Sequence, residues 1–321
     1  MKVSIIVSDM DSQDMLGLNM HALCTQDFAR DDYEVILPDL GNFSKADQAL
    51  VDSLVRQYDH FHVLRGPGKN RMELINEGAK RSKGEILMFI ESHIFLENDT
   101  VRKYVQLFDE DKERVAIQGG IKTVPTDSWV GQAQDFFFIK NVGRFKKFNV
   151  FEYYFDFHNS AMRRSCFDEL GGFRDDLPSM GEFELGARLC ASGRKIYRTG
   201  DIVGWHFNDN RLLSYAHIVG TQGMDRTRIF LIHGPKFMSK YFPQPKFMRL
   251  FPLVRRTRII FLAGATLALY ASMAGLVLTR PLRLKGLARF FFTCFAENSV
   301  RLGMIRTVNE WKKYQAVAGK K

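Results

Sequence analysis

Glu91 and His93 follow directly on a predicted strand, and their side chains could bind a cation or a phosphate. Ile86–Ile90 is an unbroken apolar run, too short for a helix and typical of a strand buried on both faces. Residues two apart in an extended segment point the same way, so the carboxylate and the imidazole can reach one ligand. Ligands of open α/β sheets bind outside the carboxyl ends of the strands. The alternative is a solvated strand end with an ordinary loop histidine.

Three more carboxylates follow predicted strands nearby. Asp9 and Asp11 come after the strand Val3–Val7, and Asp39 comes after a second strand that ends at Leu37. Strand and helix alternate four times in the first ninety or so residues, and right-handed crossovers then place all four loops at one edge of a parallel sheet. Carboxylates accept hydrogen bonds from bases and ribose, and a divalent cation bridges them to a diphosphate. The pattern therefore predicts a nucleotide site.

Two other nucleotide-binding classes are disfavoured by the loop after the first strand. A dinucleotide dehydrogenase would carry GxGxxG there, and the loop reads SDMDSQD, with no glycine. A nucleotidyltransferase, which is the alternative enzyme, would need a glycine-rich basic loop at the same place.

Farther along, the alternation over Phe151–Phe157 predicts a strand with one exposed face.

Bulk composition indicates one large α/β domain with an appendage. The chain has 321 residues, 45% of them hydrophobic. Its four cysteines are far apart, so we expect buried thiols in a reducing compartment rather than a zinc site or disulfides. The first residues show neither the apolar core nor the cleavage site of a signal peptide, and we expect the catalytic part to be cytoplasmic.

The net charge of +10 is concentrated in the C-terminal part. Residues 1–234 hold 29 Lys and Arg against 34 Asp and Glu, a net charge of −5, whereas residues 235–321 hold 17 against 2, a net charge of +15. An enzyme acting on nucleic acid would carry its positive charge around the working cleft. We therefore expect no nucleic-acid partner, and we expect the basic tail to contact an anionic membrane surface.

The tail also contains twenty uncharged residues, Ile259–Leu278, which as a helix would be about 30 Å long, the thickness of a bilayer core. Arginines and lysine flank both ends, and the positive-inside rule disfavours a simple span with such flanks. A re-entrant or surface-lying helix pair fits better, with Pro281 at the turn and Phe290–Phe292 toward lipid. The alternative is a buried helix that packs on the catalytic domain or on a second subunit of a homo-oligomer.

Four segments of the first half together resemble the nucleotide-sugar half of family-2 glycosyltransferases with the GT-A fold. They are VSIIVSDMD, EVILPDLGN, LINEGAKRSKGEI and LMFIESH. Asn76 and Gly78 match the family pattern, Ile75 replaces its usual arginine, and Glu91 with His93 form an ExH variant of its DxD metal motif. The resemblance implies that the donor is bound by six residues: Asp9, Asp11, Asp39, Asn76, Gly78 and Glu91.

The resemblance continues in the second half. FHNSAMRRSCFDELGGF is similar to the segment before the family's catalytic acid, and GEFELGARL to its ED-x-D-L-x-x-R-L. Glu182 then falls on the catalytic base, on a loop entering a helix, and Glu184 on the next acidic position. By the same resemblance His206 joins Glu91 and His93 at the metal, and Arg226 neutralises the leaving group. The alternative is that both glutamates are solvent-facing residues of the first helical turn.

The family resemblance implies an α/β GT-A fold, a doubly wound mixed sheet, with a helical, membrane-associating extension at the C-terminus. Residues 1–97 would form the nucleotide-binding half, 98–234 the acceptor half and 235–321 the extension. It implies transfer of a sugar from a UDP- or GDP-sugar to a hydroxyl acceptor, lipid-linked or a polysaccharide precursor, with inversion and with Mn²⁺ or Mg²⁺. The expected location is the cytoplasmic face of the cell membrane, peripheral, re-entrant or single-span. The non-enzymatic alternative is a membrane-docked nucleotide-sugar-binding module without activity.

Overall fold

The structure, a computed structural model, divides into two compact units. It describes residues 1–8, 16–41, 43–66, 70–142, 148–152, 155–208, 211–242, 251–279, 285–310 and 314. The first unit comprises Met1–Val124 and Arg144–Phe207, and the second comprises Pro125–Gly143 and Asn208–Lys321. Asp9, Asp11 and Pro281 lie outside the described residues. The domain boundary predicted between residues 234 and 235 stays a prediction.

The first half of the first unit is the predicted series of strands and helices. Its elements are β1 (Val3–Val7), α1 (Leu16–Cys24), β2 (Tyr33–Asp39), α2 (Lys45–Gln57), β3 (Phe61–Arg65), α3 (Arg71–Arg81) and β4 (Ile86–Ile90). β1 pairs in parallel with both β2 and β4, and β2 pairs in parallel with β3. Every residue of β1, β2 and β4 is buried, in agreement with the apolar runs IIV, VIL and ILMFI in their sequences.

Gly84 joins α3 to β4 at a point where the chain passes tightly against β1. A Cβ atom on Gly84 would overlap the backbone nitrogen of Ser4. The Gly84 N–H instead donates a hydrogen bond of 2.7 Å to the Ser4 Oγ. Helix α3 itself ends before this glycine, at Arg81, with Ser82 already extended. Gly84 therefore fixes the start of β4 relative to the sheet.

The second half of the unit completes a mixed sheet. It contributes β5 (Ile94–Leu96), α4 (Thr100–Glu110), β6 (Ala116–Thr123), β7 (Val150–Glu152), β8 (Ser160–Arg163), α6 (Arg164–Glu169), α7 (Gly181–Ala191) and β9 (Ile196–His206), whereas α5 (Trp129–Val142) belongs to the second unit. Among the described residues the strand order is β3-β2-β1-β4-β8-β6-β9-β5, with β7 beside β9. β8 runs antiparallel to β4, so its first residue, Ser160, pairs with Phe89 near the carboxyl end of β4.

The predicted strand over Phe151–Phe157 is wrong in part. Among the described residues of this range, 151 and 152 belong to β7, whereas 155–157 and the two residues after them are irregular chain. Phe155 and Phe157 are both fully buried, where they pack with Phe89 and Phe173. The alternation in the sequence therefore reflects packing of this segment into the core, not a strand with an exposed face.

The second unit is helical. Its helices are α5 (Trp129–Val142), α8 (Leu212–Tyr241), α9 (Phe251–Arg256), α10 (Arg258–Thr279) and α11 (Lys285–Thr307). α8 is broken at Gly234, where φ is 79° and Pro235 follows. α8 and α11 approach so closely that a Cβ atom on Gly223 would overlap the Val300 carbonyl oxygen, and one on Gly303 would overlap that of Gly220.

In the part of the chain that the structure describes, α10 is the one helix that is long enough and apolar enough to cross a membrane, judged by length and composition. Much of its apolar surface is exposed: Ile260 is 71% exposed, Leu267 72% and Leu278 68%. The predicted orientation of Phe290–Phe292 is wrong in part. Phe290 is exposed, but Phe292 is buried, because it stacks on Tyr215 within the unit.

Candidate functional site

Glu91 and His93 lie in a tight turn at the end of β4. The Glu91 N–H donates to the Phe157 carbonyl oxygen at 3.0 Å, and the Ile94 N–H donates back to the Glu91 carbonyl oxygen at 3.0 Å. The buried Asn19 side chain also donates to the Ser92 carbonyl oxygen. These bonds hold the carboxylate and the imidazole together, with Glu91 Oε2 at 3.3 Å from His93 Nε2.

Two more histidines meet this pair. β5 and β9 place Ile94 opposite His206, and His206 Nε2 lies 3.2 Å from His93 Nε2. His158, in the irregular segment before β8, has its Nε2 at 3.4 Å from Glu91 Oε2. The ligand atoms of Glu91, His158 and His206 lie within 4.8 Å of one another. The predicted set of Glu91, His93 and His206 is thus brought together, and His158 is an addition that sequence reasoning missed.

His158 is clamped between carboxylates. Its Nδ1 lies 3.0 Å from Asp156 Oδ2, on the side away from Glu91. Burial disfavours the charged imidazole, but the negative charges of Asp156 and Glu91 outweigh burial and raise the pKa of His158 to about 10. The two carboxylates therefore favour the protonated form of the His158 imidazole.

Arg71 brings a positively charged side chain to the site, and sequence reasoning missed it as well. It is the first residue of α3, and its Nη2 lies 3.3 Å from Glu91 Oε1 and 3.4 Å from Ser8 Oγ. Its guanidinium stands over the Phe157 ring, 5.0 Å from the centroid. Arg71 lies one helical turn before Ile75, the position of the family's usual arginine, so its side chain arises from the same face of α3.

Glu182 is the second residue of α7 rather than a loop residue, and it is only 6% exposed rather than solvent-facing. Its Oε2 is buried and has no hydrogen-bond partner among the residues that the structure describes. Burial raises the pKa of Glu182 to about 8; the charge of Arg71 opposes this effect, and those of Glu91 and Asp156 add to it. A buried carboxyl with a pKa near neutrality is suited to exchanging a proton.

The raised pKa of Glu182 predicts a pH-dependent stability. Its pKa of 4.5 in the unfolded chain rises to about 8 in the folded protein, so folding favours the protonated form. The stabilisation is complete below about pH 4.5 and is lost as the pH rises through about 8. Without metal or nucleotide, we expect the melting temperature of wild type to fall by several degrees relative to Glu182→Gln between about pH 5 and about pH 8.

Differential scanning fluorimetry at a series of pH values measures this difference. The exposed Glu113→Gln is the matched control, and its melting curve should stay parallel to that of wild type. Parallel curves for wild type and Glu182→Gln over the whole range would contradict the assignment of a raised pKa to Glu182.

Glu184 has a structural environment. It is fully buried, and both of its carboxylate oxygens accept from Arg188 Nε at 2.8 Å. Arg188 in turn donates to the carbonyl oxygens of Leu170 and Gly172, at the turn that follows α6. The pair therefore ties α7 to that turn, and the expectation of a solvent-facing Glu184 is wrong.

The other residues predicted to bind the donor occupy different places. Asp39 ends β2 at the same sheet edge as Glu91, where it accepts hydrogen bonds from the Gly41 N–H at 2.7 Å and from Arg65 Nε at 3.3 Å. Asn76 holds the Phe173 backbone through two bonds of 2.8 and 2.9 Å. Gly78 is buried where α3 packs on the sheet, and Arg226 belongs to α8 of the second unit. Their roles at the donor stay predictions.

The fold matches that of two solved glycosyltransferases. The structure superimposes on the mannosyltransferase PcManGT from Pyrobaculum calidifontis, solved with GDP-Man and Mn²⁺, with a TM-score of 0.59 and 17% identity, covering 93% of this chain and 86% of that one. It superimposes on residues 1–349 of Staphylococcus aureus TarS, solved with UDP-GlcNAc, with a TM-score of 0.55 and 13% identity, covering 98% of this chain and 92% of that fragment. The predicted GT-A fold is confirmed.

The sequence comparison gives the family. The model described as Glycosyl transferase family 2 matches residues 4–171, and the chain belongs to that family. A poly(ribitol-phosphate) beta-glucosyltransferase of Bacillus spizizenii is 23% identical over 124 residues, which are 36% of this chain and 19% of the relative. The poly(ribitol-phosphate) beta-N-acetylglucosaminyltransferase TarS of S. aureus is 27% identical over 126 residues, 36% and 20%. The matched segment spans about a fifth of the length of these relatives.

Proposed function

We propose that the protein is an inverting glycosyltransferase that moves a sugar from a nucleotide diphosphate to a hydroxyl acceptor. The observation that carries this proposal is the buried Glu182 carboxyl, whose charge is coupled to the Glu91 and His158 cluster at the carboxyl edge of a family-2 sheet. The cluster can bind a pyrophosphate together with a divalent cation, and the Glu182 carboxylate can accept the proton that the acceptor hydroxyl must lose.

Glu182 is the general base of the proposed reaction. The acceptor hydroxyl attacks the anomeric carbon from the face opposite the nucleotide diphosphate, and its proton passes to the Glu182 carboxylate as the new glycosidic bond forms. The sugar–phosphate bond breaks, and the nucleotide diphosphate leaves with the bonding electrons. Arg71, which offsets the effect of burial on Glu182, keeps part of the Glu182 population ionised and ready to accept that proton.

The residues of the cluster fit a divalent metal ion. His93 Nε2 lies 3.3 Å from Glu91 Oε2 and 3.2 Å from His206 Nε2, so one carboxylate and two imidazoles are close together, and these are donors that transition metals accept. The bound ion would supply positive charge for the departing diphosphate. Asp39 at the same edge, with Asp9 and Asp11, would hold the nucleoside part, together with Asn76, Gly78 and, for the leaving group, Arg226.

The acceptor is proposed from the chemistry of the relatives. The names of the B. spizizenii and S. aureus enzymes describe transfer of glucose or N-acetylglucosamine to poly(ribitol phosphate), a polymer of hydroxyls and phosphates. We expect an acceptor of the same class for this chain, a hydroxyl of a polysaccharide precursor or of a lipid-linked one. UDP- and GDP-sugars are the donors to test first.

The function is tested by incubating the full chain with a panel of UDP- and GDP-sugars and Mn²⁺, and by measuring release of the nucleoside diphosphate. Glycosyltransferases of this chemistry hydrolyse their donor slowly without an acceptor, so we expect release from one donor of the panel. The same donor should raise the melting temperature by mass action. If no donor of the panel binds or reacts, the proposal is contradicted.

We further propose that the C-terminal part attaches the protein to the cytoplasmic face of the cell membrane. Residues 235–321 carry a net charge of +15, and α10 exposes Ile260, Leu267 and Leu278. These three residues are spaced so that they lie along one side of the helix. An apolar face beside concentrated positive charge suits a surface of anionic lipid.

Charged substitutions on this face should therefore reduce membrane binding. We expect the full chain to sediment with vesicles that contain phosphatidylglycerol, and the double variant Ile260→Asp with Leu267→Asp to bind about tenfold less, since each substitution introduces a charge into the lipid interface. Val55→Asp, at an exposed apolar position of α2, is the matched control and should bind as wild type does. Equal sedimentation of the double variant and wild type would contradict the proposal.

A further inference from the structure

His158 approaches Glu91, His93 and His206 from a different part of the chain. Glu91 and His93 belong to the turn after β4, and His206 ends β9. His158 comes from the irregular segment before β8, and its Nε2 lies 3.4 Å from Glu91 Oε2. Its ring centroid is 5.3 Å from that of His206. The ligand atoms of Glu91, His158 and His206 therefore lie close to one another, and His93 Nε2 lies beside both Glu91 and His206.

The orientation of His158 is fixed by two buried polar side chains. Asp156 is 1% exposed and lies 3.0 Å from His158 Nδ1. Gln118, 2% exposed, donates from Nε2 to Asp156 Oδ1 at 2.9 Å and accepts from the Asp156 N–H at 2.9 Å. Asp156 Oδ1 also accepts from the His158 backbone N–H at 3.0 Å, and Gln118 Nε2 also donates to the Asn159 carbonyl oxygen at 3.0 Å. Because a buried carboxylate and a buried amide cost free energy unless they are hydrogen-bonded, these bonds hold the segment that carries the His158 imidazole. The chain Gln118–Asp156–His158 leaves Nε2 as the nitrogen that faces Glu91.

Histidine ligands of metal ions are commonly oriented by a carboxylate at the ring nitrogen that does not bind the metal. In His158 the carboxylate of Asp156 lies at Nδ1, and Nε2 faces the cluster that contains Glu91. We propose that His158 is a fourth protein ligand of the divalent cation, beside Glu91, His93 and His206, and that Asp156 and Gln118 are positioning residues for it. The inference rests on the proposed function, since this cation is the one that would serve transfer. Three imidazoles favour Mn²⁺, Co²⁺ or Zn²⁺ over Mg²⁺, which prefers oxygen ligands.

Metal binding by the full chain, without nucleotide sugar, tests this assignment. Mn²⁺ binding is followed by electron paramagnetic resonance, and Co²⁺ binding by its visible absorption, which reports the ligands directly. We expect His158→Gln to weaken binding of Mn²⁺ by about tenfold to a hundredfold and to alter the Co²⁺ spectrum. Asp156→Asn should weaken binding by about tenfold with His158 still present. Mg²⁺ in large excess should displace little Mn²⁺ from wild type.

His62→Gln, at an exposed position of β3, is the matched control and should bind Mn²⁺ as wild type does. Far-ultraviolet circular dichroism establishes that each variant folds. If His158→Gln keeps the affinity and the Co²⁺ spectrum of wild type while His206→Gln loses them, the ligand role of His158 is overturned and the proposed function stands. If wild type binds none of these metals, the inference and metal assistance both fail. Unchanged binding by Asp156→Asn would overturn its positioning role.

Discussion

Glu182→Gln should reduce turnover by about three orders of magnitude, within the range that general bases contribute, and leave the affinity for the donor nearly unchanged. The amide keeps the size of the carboxyl but cannot accept the proton of the acceptor hydroxyl. Because the Glu182 Oε2 makes no hydrogen bond to a described residue, an amide nitrogen in its place breaks no hydrogen bond of that atom. Initial rates of transfer, together with the donor-induced rise in melting temperature, measure the two effects separately.

Glu184→Gln is the matched control in the same helical turn. It weakens the contact with Arg188 and should lower the melting temperature with little change in the turnover of the folded enzyme. Unchanged turnover in Glu182→Gln would remove Glu182 from the mechanism. Loss of turnover in Glu184→Gln at full stability would transfer the base role to the neighbouring carboxylate.

Glu91→Gln should abolish metal-dependent binding of the donor. The Glu91 carboxylate lies within 3.3 Å of both Arg71 and His93 and 3.4 Å from His158, so it is the common partner of the site. An amide at this position is a weaker metal ligand and leaves Arg71 without its charge partner. We expect the affinity for Mn²⁺ and for the nucleotide diphosphate each to fall by at least about tenfold, and turnover to fall with them.

Isothermal titration with UDP or GDP, with and without Mn²⁺, measures this effect. Glu97→Gln is the matched control: Glu97 follows β5, is half exposed and pairs with Lys103 at the surface. It should bind nucleotide as wild type does. Nucleotide binding by Glu91→Gln that still depends on Mn²⁺ to the same extent as in wild type would contradict the account of the cluster.

The parts of the site on regular elements could be predicted from the sequence. The short apolar run Ile86–Ile90 predicts a buried central strand. The side chains that follow such a strand lie at the edge of the sheet where ligands bind. The family resemblance placed His206 beside His93, and the pairing of β5 with β9 achieves this contact. Strand pattern and order are local or topological properties, which the sequence specifies strongly.

His158 and Asp156 were missed because their segment was interpreted as a strand. Alternating Phe155 and Phe157 produce the period of two, although the cause is packing into an aromatic cluster around Phe89 and not a ladder. The available signal was the Asp-x-His spacing of residues 156 and 158, which matches the Glu-x-His spacing of residues 91 and 93. Two such pairs in one chain indicate a shared cation better than either does alone.

The burial and the raised pKa of Glu182 could not be predicted from its position in the helix. A glutamate in a first helical turn is ordinarily solvated, and its burial here depends on how α7 packs on α3, where the Met72 side chain lies against Gly181. The raised pKa of Glu182 follows from that packing and from the charges of three residues distant in sequence. Such properties belong to the tertiary structure, and neither spacing nor composition indicates them.

The central claim is that one cation and one nucleotide diphosphate share the cluster around Glu91. Anomalous diffraction from crystals grown with Mn²⁺ and UDP or GDP tests it most directly. The account predicts a manganese peak at about 2.0 to 2.4 Å from Glu91, His93, His158 and His206, with the diphosphate bound to the same ion. A diphosphate bound with its manganese away from these four side chains would contradict it.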